Sequence, residues 1–325
     1  MIRKLDSKKI YILPVLVTSI VLIVSLFYYK NSTFGQTKST GYNIELSPAK
    51  KNISINPGDN YIQKFTIGNY SGSSQTLHLF VQDFTVKSEE GTPEIYDITP
   101  EEGRKFALSQ WMVLPTDTVT IPNDERVEVE VQINVPADAE PGGHYGAFIV
   151  QTQAPSQEGT AVGAIGRLAS LMLVNIPGDT AEEVTIAKAF TDKPIYWDEN
   201  PTVHFVTFLK NKGNVHGIPT GAFNISGGYG HKSKSVIYNQ NQSAVLPGAP
   251  ERKLVTEFSM KKGEGIVPPI GKFTIDLVAR YGTANLPLET TIFFWMLPVK
   301  FIAIALLGTV ITLFVAWRAL LSFKK

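Results

Sequence analysis

The sequence predicts an all-β fold: two tandem β-sandwich domains, flanked by an N-terminal signal or anchor helix and a C-terminal transmembrane helix. Three observations carry that reading. Stretches such as Tyr61–Asn69 (YIQKFTIGN) and Gln75–Phe84 (QTLHLFVQDF) alternate apolar with polar residues, the period of a half-buried antiparallel strand. Clusters of Asn, Pro, Gly and Ser separate such stretches at short intervals. Helix-length apolar runs without charge occur only at the two ends, Ile10–Tyr29 and Phe301–Trp317.

Ile10–Tyr29 follows a basic start, the pattern of a secretory signal within residues 1–35 or of an uncleaved signal anchor. Thr33 and Gly35 offer small residues for cleavage before Gln36, and either reading sends the following chain outward. A polar spacer leads to the first sandwich, expected over 42–178. Ile44 and Leu46, then Ile53 and Ile55, mark short strands, with Asn56–Asp59 as a turn. Lys87–Gly103 reads as a loop and Ala107–Pro115 as one strand anchored by Trp111. Val127–Gln153 reads as a closing hairpin whose two strands meet at a proline and glycine turn. Ala154–Gly166 is glycine-rich and suggests a loop. Arg167–Ile176 is a nearly continuous apolar strand ended by Pro177-Gly178-Asp179.

The second sandwich is expected over 180–290, from Val184 through Thr202–Leu209, Gly221–Ser226 and Lys253–Ser259 to Lys272–Arg280. Its Pro268–Gly282 stretch repeats part of the earlier one: Gly143-His144-Tyr145 becomes Gly271-Lys272-Phe273, then an alternating strand. The transmembrane helix is expected over 293–317, with Trp295 and Trp317 at opposite interfaces, and the basic tail 318–325 in the cytoplasm.

Charge and composition narrow the function. Basic residues crowd the two ends, leaving 23 basic and 28 acidic residues between them, so no cationic surface for nucleic acid is indicated. With no cysteine, the chain has no disulfide and no thiolate nucleophile or ligand. The histidines lack ligand spacing, and no nucleophile elbow or phosphate loop occurs, so no metal or cofactor is expected. His144 and Tyr145 invite a catalytic reading. The structural one is preferred, with His144 toward solvent and Tyr145 packed inward behind two turn glycines. Tyr196, Trp197, Tyr229 and Tyr238 are candidates for a binding surface or for core. The best recognition loop is Ser226–His231, in which Gly228 frees the backbone around Tyr229 and His231.

Three stretches carry a resemblance to a family: Ile44–Pro48 with Asn56–Gly58, Val135–Ala147 (VPADAEPGGHYGA), and Leu209–His216 (LKNKGNVH). They resemble the WxL-interacting class of bacterial cell-surface proteins, over essentially the whole chain in architecture. The resemblance implies two immunoglobulin-like modules on a membrane helix, the first facing a cell-wall polymer and the second a surface protein. The expected function is therefore non-catalytic: adhesion, wall contact or scaffolding of other extracellular proteins. A chaperone-like or structural subunit is the alternative, favoured by unprotected strand edges that pair with a partner's strand. An enzyme built around His144 is the remote one.

Overall fold

The computed structural model describes residues 43–96, 101–152, 166–230, 232–260 and 267–322. The N-terminal apolar run, nearly all of Ala154–Gly166 and His231 lie outside the described residues. The chain is mostly β-sheet, as its alternation requires. One sheet of the N-terminal half orders β1 (Ile44–Ser47), β3 (Asn60–Asn69), β8 (Glu125–Asn134) and β6 (Met112–Val113) as β1-β3-β8-β6. The facing sheet orders β2 (Lys50–Ser54), β10 (Arg167–Ile176), β9 (Gly142–Thr152), β4 (Gln75–Val86) and β5 (Pro93–Ile95) as β2-β10-β9-β4-β5, with β7 (Thr118–Ile121) also on β4. Phe65, Ile67, Val129 and Val131 from the first meet Leu77, Phe148, Met172 and Val174 from the second, and the Phe65 and Phe148 rings stack at 4.6 Å.

The C-terminal half is lopsided. Three strands, β11 (Val184–Thr191), β13 (Thr202–Asn211) and β16 (Arg252–Ser259), lie over five: β12 (Ile195–Tyr196), β18 (Leu286–Met296), β17 (Ile270–Tyr281), β14 (Thr220–Tyr229) and β15 (Lys234–Tyr238). Its core is aromatic, with Phe205 against Phe223 at 5.0 Å and Phe273 against Phe294 at 5.6 Å. Helix α1 (Val299–Ser322) follows, of which Val299–Arg318 is long and apolar enough to cross a membrane.

Four local expectations are corrected. The stretch 107–115 is not one strand: Ser109–Trp111 forms a 3-10 turn before the short β6. The Asp83 carboxylate takes the Leu108 and Ser109 N–H groups at 2.8 and 2.7 Å and the Ser109 hydroxyl at 2.9 Å, which coils the segment. Val127–Gln153 is not a hairpin, because β8 and β9 belong to opposite sheets and the link between them is an arch. That arch is pinned to the Asn56–Asp59 turn: the Gly58 N–H lies 3.1 Å from both the Val135 and Pro136 carbonyls.

Residues 293–296 are strand, so α1 begins at Val299 and not at Phe293, and it carries Arg318 within it. The reason is periodic. Phe294 and Met296 are buried while Phe293 and Trp295 are exposed, an alternation only a strand makes. Lastly, His144 does not face solvent. It is 4% exposed, with ring nitrogens 3.1 Å from the Ala107 and Glu140 carbonyls and its ring 4.4 Å from that of Trp111.

The apolar run of β9 has a physical cause in the packing: nearly every residue from Gly142 to Thr152 is buried, on both faces. Phe148 and Val150 point into the first sandwich. Tyr145, Ala147 and Ile149 point the other way, where Phe84 and Leu173 join Leu246 and Ala249 of the C-terminal half in a third core. A strand between two cores has no polar face, which explains why Arg167–Ile176 beside it is also continuously apolar.

Candidate functional site

That third core is the seam between the two sandwiches, and two of the stretches singled out in the sequence build it. The Gly143 N–H donates to the Asn214 carbonyl at 2.9 Å, and the Asn214 side chain donates to the Pro141 carbonyl at 3.2 Å. Asn214 also holds the connecting segment, accepting the Ala181 N–H at its side chain and donating its own N–H to the Ala181 carbonyl. Gly213 is required here, since a Cβ would sit 1.9 Å from the Ala181 carbonyl oxygen. Tyr145 is 2% exposed, with its ring 5.7 Å from that of His216 and its hydroxyl against the His216 amide. Burial pushes its phenol pKa far above the ordinary value.

A second set of contacts lies farther along the seam. The Lys253 N–H of β16 donates to the Glu89 carbonyl at 2.7 Å, and Arg252 packs flat on Gly91, where a Cβ would collide with its guanidinium. Lys50 of β2 donates to the Gln242 carbonyl. Beside these contacts opens a cleft of about 360 Å³, lined by Asn52, Ser54, Asn175, Glu182, His216 and Thr283 among others. Its acid is engaged: Glu182 accepts the Thr283 N–H and hydroxyl at 2.8 and 3.0 Å. Among the described residues no group of three or more His, Asp or Glu is placed to hold a metal.

A further feature is the free side of β16. It pairs with β13 on one side only, and beyond Lys253 no strand of the described residues lies on the other. Lys253 sends its N–H outward and Met260 sends its own inward to Pro201. By that alternation Val255 and Glu257 direct N–H and C=O outward, away from the ladder. Val255 is 50% exposed, while Leu254 and Phe258 face the core.

No protein-family model matches the chain, and no curated protein does. Solved structures similar to it include the class 5 fimbriae chaperone CfaA, with 12% identity and a TM-score of 0.37 over 79% of this chain and 100% of that one. The YadV chaperone is 9% identical at TM-score 0.36, over 78% and 100%. The E. coli chaperone DraB is 10% identical at TM-score 0.33, over 78% and 98%. At such scores function has to be read from this chain's own geometry.

The residues proposed from sequence disperse. Tyr196 and Tyr238 are core, 2% and 1% exposed, whereas Trp197 and Tyr229 are open to solvent. Ser226–Tyr229 continues β14 through a bulge between Gly227 and Tyr229 rather than forming a free loop. Gly228 has φ +57°, and a Cβ there would sit 2.1 Å from the Phe273 ring, so its absence of side chain serves packing. Sequence reasoning missed His216 as a seam residue: its Nε2 lies 2.8 Å from the Asn52 side-chain oxygen across the two sandwiches. Its place two residues after Asn214 in the KGNVH stretch was the available signal.

His216 makes the seam sensitive to acid. Burial, with a smaller repulsion from Lys50, lowers its pKa from 6.5 to about 4. Above about pH 6.5 the ring is neutral in folded and unfolded chains alike, and nothing is lost. Between 6.5 and 4 the unfolded chain takes up a proton that the folded one refuses, so stability falls with pH and levels off after a loss of roughly 3 kcal/mol. Urea unfolding at pH 7.5 and 4.5 reads this directly. A His216→Gln variant should lose most of that slope, and an unchanged slope would remove His216 from the explanation.

Proposed function

We propose that this protein is a non-catalytic, membrane-anchored subunit of the cell surface, which holds another surface protein by adding its extended segment to the free side of β16. The observation that carries the reading is the pair of outward N–H and C=O groups at Val255 and Glu257, on the edge of a three-stranded sheet facing five. Such an edge is a ready template for a partner strand, with main-chain bonds giving affinity and side-chain pockets giving choice. The seam supports the role by tying that edge to the first sandwich, through the Lys253 N–H and the Glu89 carbonyl. The WxL-interacting resemblance fits the same role, and α1 supplies the anchor.

Proline tests the edge without breaking the sheet. At Val255 and Glu257 the N–H is not part of the β13 ladder, so V255P with E257P removes two outward donors and leaves the internal bonds in place. Each main-chain bond contributes about 1 kcal/mol, and the ring adds steric exclusion, so partner capture should weaken by about 10- to 100-fold. Capture of protein from solubilised envelope by the wild-type chain, lost in the proline variant with its melting intact, is the expected result. Equal capture by both would remove β16. Recovery of wall polymer alone would favour wall contact instead.

A further inference from the structure

The end of the second sandwich from which α1 departs is rimmed with aromatic side chains. Trp295 on β18 is 42% exposed, Trp197 just after β12 is 54% exposed, and Tyr229 at the end of β14 is 68% exposed. Strand register places them together at that end. Ile195 and Tyr196 lie beside Trp295 and Met296, Met296 opposes Gly271, and Tyr229 opposes Ile270. No slack separates the rim from the helix, because Leu297 and Val299 donate to the Tyr196 and Trp197 carbonyls at 2.8 and 3.1 Å.

The length of the helix then decides where the rim sits. Val299–Arg318 is 20 residues, which at about 1.5 Å per residue covers about 30 Å, the full hydrocarbon thickness of a bilayer. A span consumed by the hydrocarbon leaves no helical turn above it, and the residues tied to Val299 fall in the headgroup layer. Indole and phenol rings are favoured there, with an apolar body toward the acyl chains and a polar atom toward water or phosphate. Lys272 opposes Trp295 in register and is exposed, with its ammonium 4.2 Å from the Phe293 ring centre. Asp198 and Glu199 directly follow Trp197, so the rim carries both signs of charge and suits a zwitterionic headgroup.

We propose that this rim is a lipid-docking surface: Trp197, Trp295 and Tyr229 seat in the headgroup layer and Lys272 meets a phospholipid phosphate, which fixes the tilt of the second sandwich on the bilayer. The inference rests on α1 being a membrane span, and the test separates the two. Full-length protein is reconstituted in phosphatidylcholine vesicles carrying spin labels either near the headgroup or deep in the acyl chain. Single Trp197→Phe, Trp295→Phe and Trp317→Phe variants assign the quenching to each indole, with Trp111 left in place.

The expected result is that headgroup labels quench Trp197 and Trp295 several-fold more than aqueous iodide does, and that salt weakens this little. Trp317 should respond to lipid labels if α1 spans. Lipid quenching of Trp317 together with iodide quenching of Trp197 and Trp295 would overturn the docking surface while leaving the anchor. No lipid quenching of Trp317 would overturn the anchor, and the docking surface with it. Trp197 and Trp295 shielded from iodide yet untouched by lipid labels would mean that a protein, or a second copy of this chain, covers the rim, and that too overturns the proposal.

Discussion

Replacing Tyr145 by alanine should uncouple the two sandwiches while leaving each folded. Tyr145 is 2% exposed and packs against Phe84 and Phe106, with ring centres 6.0 and 6.1 Å away, as well as His216. Deleting a buried aromatic ring costs about 3–5 kcal/mol. Here the loss falls on the third core and not on the core of either sandwich. The wild-type pair of sandwiches should therefore melt in one transition and Tyr145→Ala in two, with new protease cuts in the 177–183 segment. Tyr145→Phe keeps the ring and should stay close to wild type. Phe273→Ala, at the matching place in the second sandwich, should instead unfold that sandwich, since Phe273 belongs to its own core. A single, merely lowered transition in Tyr145→Ala would contradict the seam.

The Asp83→Ala variant should lose a comparable amount, about 3–5 kcal/mol, by a different route. Asp83 is 3% exposed, and its carboxylate accepts the Leu108 and Ser109 N–H groups and the Ser109 hydroxyl. Alanine leaves the buried Leu108 N–H and the half-buried Ser109 donors without that acceptor and releases a segment that carries Leu108 and Met112 into the first core. Gly146, which opposes Asp83 in register, makes room for that segment, since a Cβ there would lie 3.0 Å from the Met112 sulfur and 3.1 Å from the Leu108 Cβ. Asp83→Asn retains one carbonyl oxygen and should fall between. Urea unfolding measures both, and a loss below about 0.5 kcal/mol for the alanine variant would show that the segment holds itself.

What was legible in the sequence was what is local. Alternation marked Tyr61–Asn69 and Gln75–Phe84 as strands, and the uncharged run Phe301–Trp317 lies within α1. Placement across the fold was not legible, because a strand does not say which sheet it joins. β8 and β9 looked like a hairpin because they are adjacent and both apolar. The link between them, seven residues from Val135 to Pro141 with two prolines, is longer than a tight hairpin turn and was the signal against that reading. Tyr145 was expected inside and is inside, but in the seam, since a strand buried on both faces does not reveal what covers each. Asp83 read as one more polar position in an alternating strand. Its partners sit 25 and 26 residues away, where local pattern carries no information.

Hydrogen exchange at the Val255 and Glu257 amides tests the proposed role of β16 most directly. Both amides point away from β13, so in the purified full-length chain they should exchange freely. In intact envelope a bound partner strand should slow both by at least about tenfold, leaving the inward amides of Leu254 and Thr256 unchanged. Equal exchange of Val255 and Glu257 in envelope and in purified protein would contradict strand addition at this edge.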